Sequence, residues 1–299
     1  MRTKNKKRRY RLPPETAIRL GLECNNSNRY RLSLEQERKL FDYDQEPIKR
    51  LFFDIETSPY VGYFWSAYPK FIPHDMVLEP MKIICISYKW EGEDKIYRLN
   101  WDNGCDKKLV KDFIEIANKA DEIIAHNGDR YDVKVLRTRA VFHRIPMRWK
   151  YRTLDTLKKS RSAFKFFSNR LDAIAKDLGV GAKVKHEGFS MWKKCMNGEE
   201  KALNEMGTYC DGDIVVLEDV FTVIQNYVKN NTHVGTHNGK LKCSCPACGS
   251  EDVSLLKNNF TALGTIKRLM QCNPCGYEYE TSNSAWRQFI EMKNNFNTK

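Results

Sequence analysis

The sequence predicts an α/β fold: a mixed five-stranded sheet with flanking helices, followed by a small C-terminal cysteine module. Strand-like runs come three in succession and then alternate with helical stretches, the order of a mixed sheet with helices on its faces. A chain of 299 residues has room for one sizeable core and a small appendage. Two Cys-x-x-Cys pairs follow a polar, turn-rich stretch near the C-terminus.

Residues 1–46 are expected to form a basic N-terminal extension. Residues 1–11 carry seven Lys or Arg and no acid, which suits an arm lying along phosphates or a solubilising or targeting tail. A weakly helical, charged stretch around residues 33–40 follows without a legible role. The main domain is placed at 47–230. Its strands are predicted at 51–55, 81–88 and 95–101. A helix follows with Leu109, Val110, Phe113, Ile114 and Ala117 on one side. A short strand at 122–125 runs into His126-Asn127-Gly128 and a helix over 131–142. A further strand at 149–153 leads to Leu154-Asp155-Thr156, where Asp155 is expected to cap a helix. Residues 171–178 form a short amphipathic helix stopped by Gly179. A longer helix from about 199 carries Leu217, Val220, Phe221, Ile224 and Val228 at helical spacing. Residues 231–240 read as a linker, 241–284 as the cysteine module and 285–299 as a tail.

Lys and Arg total 51 against 38 Asp and Glu, a net charge of +13 that suits a polyanionic partner. No apolar run is long enough to span a bilayer and none at the start resembles a signal peptide. The expectation is a cytoplasmic protein without membrane association. Its ten cysteines are then thiols or metal ligands in preference to disulfides.

Within the apolar run Leu51-Phe-Phe-Asp54-Ile-Glu56-Thr57, Asp54 and Glu56 lie two residues apart and so share a strand face. Two like charges aimed at one spot repel each other, a cost that a bound cation removes. Asp132 stands one turn into the helix after His126-Asn127-Gly128-Asp129-Arg130-Tyr131, at a sheet end where ligand sites are usually built. Asp129 alone reads as an N-cap. In Tyr209-Cys210-Asp211-Gly212-Asp213, Tyr209 and Asp213 are one turn apart and face the same way, which sends Asp211 elsewhere, toward solvent. Four carboxylates suit two Mg²⁺ or Mn²⁺ ions, which when about 4 Å apart stabilise both the attacking and the leaving oxygen of a phosphodiester displacement.

These three motifs resemble those of the DEDD superfamily of 3′→5′ exonucleases, in its tyrosine (DEDDy) subgroup, on the ribonuclease H-like fold. Asp-x-Glu matches Asp54 and Glu56, His-Asn-x-x-x-aromatic-Asp matches His126 through Asp132, and Tyr-x-x-x-Asp matches Tyr209 and Asp213. The resemblance covers roughly residues 48–228, and the compact form looks most like a phage or prophage exonuclease, hence host cytoplasm. It implies that Asp54, Glu56, Asp132 and Asp213 hold two Mg²⁺ or Mn²⁺ ions, with Glu56 and Tyr209 positioning the water that attacks. Thr57, His126 and Asn127 become candidate nucleic-acid contacts, His126 and Asn127 alternatively serving the strand end.

Positive charge interleaved with aromatics over residues 158–170 suits single-strand binding, with Lys165 and Arg170 on phosphates, although Phe164, Phe166 and Phe167 equally suit a core. A second phosphate-contacting loop is expected at Lys183 and Lys185, and Trp192 reads as a buried residue or a stacking one. Cys245, Cys248, Cys272 and Cys275 have the spacing of one structural Zn²⁺ site and resemble a zinc ribbon, with Cys243 as a spare. With Lys257, Lys267 and Arg268 this module is expected to grip nucleic acid or a partner protein. Cys24, Cys85, Cys105, Cys195 and Cys210 read as ordinary thiols.

The expected activity is therefore metal-dependent 3′→5′ hydrolysis of phosphodiester bonds, single-stranded DNA preferred, releasing nucleoside 5′-monophosphates. The same chemistry on RNA is the near alternative. An inactive nucleic-acid-binding or recruitment protein acting through its ribbon is the alternative of another class.

Overall fold

In the computed structural model, residues 10–11, 17–18, 21–23, 29–30, 48–147, 151–182 and 187–297 are described. Most of the basic extension, with residues 33–40, and the loop carrying Lys183 and Lys185 lie outside them, as does Cys24. Residues Ile48–Thr232 form one compact unit, and the chain from His233 onward belongs to a second.

The larger unit is built on β1 (Arg50–Thr57), β2 (Ile83–Trp90), β3 (Tyr97–Asn100), β4 (Glu122–Ala125) and β5 (Arg152–Asp155). They form one mixed sheet in the order β3-β2-β1-β4-β5, antiparallel from β3 to β1 and parallel from β1 to β5. This is the ribonuclease H-like sheet the sequence predicts. Its helices are α1 (Lys107–Ala117), α2 (Asp132–Phe142), α3 (Thr156–Ala163), α4 (Leu171–Leu178), α5 (Phe189–Met196) and α6 (Glu200–Ile224).

Alternation along β1 divides the core between the two faces of the sheet. Leu51, Phe53 and Ile55 pack with Leu109, Val110, Phe113 and Ile114 of α1 and Val133 and Leu136 of α2. Phe52 faces the other way, onto Ile174 of α4 and Leu217, Val220 and Phe221 of α6. Its ring meets Phe221 edge-on at 5.6 Å. Asp54 and Glu56 follow Phe52 on the face toward α6. A β-bulge between Glu56 and Thr57 ends the regular pairing with β2 and re-aims the chain there.

Two buried polar clusters hold this frame. Arg50 and Glu122, at the far end of β1 and β4, are paired at 2.9 Å and almost inaccessible. Asp106, fully buried, accepts from Nε and Nη2 of Arg139 at 2.6 and 2.8 Å, from His143 Nε2 at 2.6 Å and from the Ile83 N–H at 2.9 Å. It thereby ties α1, α2 and β2 together.

The cysteine unit has three antiparallel strands, β6 (Val253–Phe260), β7 (Ile266–Cys272) and β8 (Glu278–Ser282), in the order β6-β7-β8. The residues from 285 onward, expected as a tail, belong instead to a helix, α7 (Asn283–Asn297). Its Phe289 is buried with Cys243, Cys245, Met270, Cys272 and Tyr279, because the small module lacks apolar surface to close a core alone. The 231–240 segment, expected as a linker, contains the boundary between the two units, at Thr232 and His233. Asn231 accepts from Arg152 and Lys159 and donates to the Thr153 carbonyl. Val234–His237 form one helical turn, and the Val234 N–H donates to the Pro246 carbonyl at 3.0 Å.

Candidate metal centre and active site

Three segments distant in sequence meet at the end of β1. Asp54 and Glu56 stand on the strand, Asp132 opens α2, and Tyr209 and Asp213 lie one turn apart on α6. Together with Ile55, Thr57, His126, Asn127, Tyr131 and Trp192 they line a cleft of about 300 Å³. Carboxylate oxygens of Asp54, Glu56 and Asp213 all lie within 4.8 Å of one another. Asp132 stands beside this trio and interacts electrostatically with Asp54. Burial first, then the charge of Asp54, pushes the Asp132 carboxyl well above the ordinary range. An all-oxygen donor set with surplus negative charge in a buried place fits hard divalent cations such as Mg²⁺ or Mn²⁺.

The loop that delivers Asp132 is held from below. Asn127 adopts the left-handed conformation (φ 67°). Its N–H donates to Asp155 at 3.0 Å, and the Asp129 N–H donates to the same carboxylate at 3.3 Å. Asp155 also accepts from the N–H groups of Leu157 and Lys158 and so caps α3, as expected. Gly128 passes so close to the sheet that a Cβ there would stand 2.5 Å from the Cβ of Ala125. Asp129 is no helix cap: its carboxylate pairs with Lys158 at 2.7 Å.

Helix α6 is fixed against the sheet by groups that place Tyr209 and Asp213. Asp211 is not sent to solvent. It accepts from Ser87 Oγ at 2.6 Å and pairs with Arg98, whose guanidinium crosses α6 over Gly207, where a side chain would collide with it. Lys89 pairs with Glu218 further along. Cys210, read as an ordinary thiol, is fully buried, and its Sγ lies 3.6 Å from both the backbone carbonyl and the carboxylate of Asp54. Burial, then neighbouring Cys85, drives that thiol well above its usual value, so it stays protonated.

The candidate nucleic-acid contacts fare differently. His126 is occupied inside the protein: Nε2 donates to the Asn169 carbonyl at 2.9 Å, and Nδ1 is 2.9 Å from Thr156 Oγ1. Both ring nitrogens are thus engaged, and His126 ties the strand end to the 164–170 segment while its ring lines the cleft. Thr57 Oγ1 is 2.7 Å from the Tyr131 hydroxyl, and Trp192 is half-buried with Nε1 donating to the Thr57 carbonyl at 3.1 Å. Phe164 and Phe166 pack on the core beneath α6, whereas Phe167, Lys165 and Arg170 are exposed. Lys183 and Lys185 fall outside the described residues.

A second cleft of about 340 Å³, lined by Thr57, Ser58, Pro59, Tyr60, Met81, Tyr131, Phe189 and Trp192, shares Thr57, Tyr131 and Trp192 with the acidic one. Neither Phe189 nor Tyr60 stood out from spacing, although the density of rings over 60–71 is visible in the sequence.

In the cysteine unit, sulfurs of Cys245, Cys248, Cys272 and Cys275 lie within 4.8 Å of one another. Burial pushes Cys245, Cys272 and Cys275 up to about 11. Burial acts the same way on Cys248, but the Ser250 N–H and neighbouring thiols outweigh it and hold that thiol below its usual value. Four soft donors in one cluster fit a tetrahedral Zn²⁺. Cys243 stands outside the cluster, and its carbonyl accepts from the Tyr279 hydroxyl at 2.6 Å. Lys257 is exposed, while Arg268 donates to Asn258 and Asn283 within the module.

Residues 78–225 match the RNase_H superfamily. The matched stretch contains Asp132, Tyr209 and Asp213 and begins after β1, so Asp54 and Glu56 lie outside it. No curated protein matches the sequence. Among solved structures, the family B DNA polymerase from the hyperthermophilic archaeon Pyrobaculum calidifontis is similar with 14% identity and a TM-score of 0.48. That similarity covers 60% of this chain and 25% of the polymerase chain, so the match spans about a quarter of the polymerase. No described helix is long and apolar enough to cross a membrane.

Proposed function

We infer that the larger unit is a metal-dependent 3′→5′ exonuclease of the DEDDy kind that hydrolyses phosphodiester bonds, preferably of single-stranded DNA, and releases nucleoside 5′-monophosphates. The observation that carries this reading is the meeting of Asp54, Glu56 and Asp213 within 4.8 Å, beside Asp132 and Tyr209 in one cleft. The RNase_H-superfamily match over 78–225 supports a nuclease.

In this reading Asp54, Glu56, Asp132 and Asp213 would together hold two divalent cations. When bound, the pair supplies charge stabilisation for both the attacking and the leaving oxygen. The protein's own groups do the positioning. Glu56 accepts a hydrogen bond from the attacking water and the Tyr209 hydroxyl orients its lone pair toward phosphorus. Asn127, Thr57 and Tyr131 border the place of the terminal nucleotide. Lys165, Arg170 and the loop with Lys183 and Lys185 track phosphates. The four-cysteine module is a zinc ribbon with a structural ion that helps to grip nucleic acid, a protein partner being its alternative.

The test is incubation with 5′-labelled single-stranded DNA and RNA in Mg²⁺ or Mn²⁺, beside Asp54→Ala. A ladder shortening from the 3′ end, stronger on DNA and absent in the variant, is expected. Internal cuts, or substrate loss without metal, contradict the reading.

A further inference from the structure

Between β1 and β2 the chain leaves the sheet and returns through a narrow neck. Val61 pairs with Glu79 and Gly62 with Val77, and the Tyr63 N–H donates to the Met76 carbonyl at 3.0 Å. A Cβ at Gly62 would stand 2.5 Å from the Met76 oxygen, so only glycine lets the neck close. Within the loop, Tyr63 is 74% exposed, Trp65 94%, Tyr68 91% and Phe71 79%. Large rings held in water are costly, since each exposes surface that folding normally buries. Grouped on one short loop they mark a binding surface.

We propose that the loop carrying Tyr63, Trp65, Tyr68 and Phe71 is a base-stacking site for single-stranded nucleic acid, engaging nucleotides 5′ of the bond cut in the acidic cleft. The proposal rests on the nuclease reading and adds to it a substrate surface no motif supplies. Two observations choose this occupant. The loop's neck adjoins the candidate active site, because Pro59 and Tyr60, which lead into it, line the aromatic cleft that shares Thr57, Tyr131 and Trp192 with the acidic one. A strand leaving the acids by that cleft passes Tyr131, Trp192 and Tyr60 toward the neck of the loop. The surface is also aromatic more than aliphatic, and between Pro59 and Glu79 Lys70 is the one Lys or Arg. Flat rings stack on bases of any sequence, whereas an anionic membrane surface is held by clustered basic residues.

The test compares two chains that cannot degrade the probe: Asp54→Ala alone, and Asp54→Ala with Trp65→Ala, Tyr68→Ala and Phe71→Ala. Binding is read by anisotropy on a 5′-fluorescein oligothymidylate of about 16 nucleotides and on an abasic strand of equal length. The loop variant should bind the oligothymidylate at least about tenfold more weakly and the abasic strand equally. In chains that retain Asp54, the loop substitutions should slow release from the long strand at limiting concentration and leave hydrolysis of thymidine 5′-monophosphate p-nitrophenyl ester unchanged. Equal binding of the oligothymidylate overturns the proposal, as does equal loss on both strands. Loss of ester hydrolysis also overturns it, by showing that the rings shape the cleft itself. So does a loop-dependent attachment to phosphatidylserine vesicles without an effect on oligonucleotides. If neither chain retaining Asp54 releases product, the catalytic reading fails while the binding comparison still decides this one.

Discussion

A methyl group at residue 128 would stand 2.5 Å from the Cβ of Ala125, at the point where β4 hands the chain to the loop before Asp132. Gly128→Ala should therefore shift that loop and lower turnover by on the order of a hundredfold, the effect of misplacing a reacting group by about 1 Å. KM should change far less, and steady-state kinetics on a labelled strand check it. In the proposed mechanism Tyr209 orients the attacking water, so Tyr209→Phe should cost roughly tenfold to a hundredfold in kcat, the worth of one hydrogen bond to a charged centre. Unchanged thermal unfolding would exclude a folding defect. The carboxylates were legible as a set, because each sits where an apolar strand or helix has no other use for charge. Cys210 was not, since its packing against Asp54 depends on the approach of α6 to β1, which no spacing within α6 reveals.

Helix α6 illustrates the limit of periodicity. Spacing separates the face of Tyr209 and Asp213 from that of Asp211, but Ser87 of β2 and Arg98 of β3 turn the second face into an anchor. Asp211→Ala leaves Arg98 over Gly207 without its carboxylate and should cost about 1–3 kcal/mol, read by urea denaturation, together with a loss of activity as α6 loosens. On the opposite face of the sheet, burial alone would raise the Asp106 carboxyl, but Arg139, the Ile83 N–H and His143 outweigh it and hold it below the ordinary range. A depressed carboxyl contributes stability that is present above the unfolded-state value and lost as pH falls through the folded one. Acidification below about pH 4 should therefore destabilise the protein. Asp106→Asn should flatten that dependence while costing about 3–5 kcal/mol at neutral pH, because Arg139 remains buried. Denaturation at several pH values separates the two effects.

At the scale of the whole molecule, the order of strands and helices was legible because each has its own hydrophobic period. Pieces that fold only against a partner were not. Residues 231–240 read as a linker from their polarity, but that Asn231 bonds back to Thr153 and Val234 forward to Pro246, on either side of the unit boundary, has no signal in the sequence. The last residues looked like a tail because one apolar face on a short helix is weak evidence until Phe289 meets the cysteine core. A four-thiolate site of this kind carries folding energy. Chelation, or Cys272→Ser, should accordingly melt the module from His233 onward while Ile48–Thr232 keeps its own transition. Calorimetry should show one transition lost and one retained.

The central claim is that four carboxylates from three separate segments act as one metal centre that cuts phosphodiester bonds. Its most direct test is the initial rate of nucleoside monophosphate release from single-stranded DNA in Mg²⁺, for the native chain and for Asp54→Asn, Glu56→Gln, Asp132→Asn and Asp213→Asn. Each variant should fall by roughly a thousandfold, the loss of several kcal/mol of charge stabilisation, with folding intact. A near-native rate in any of the four, or release that persists in EDTA, would contradict it.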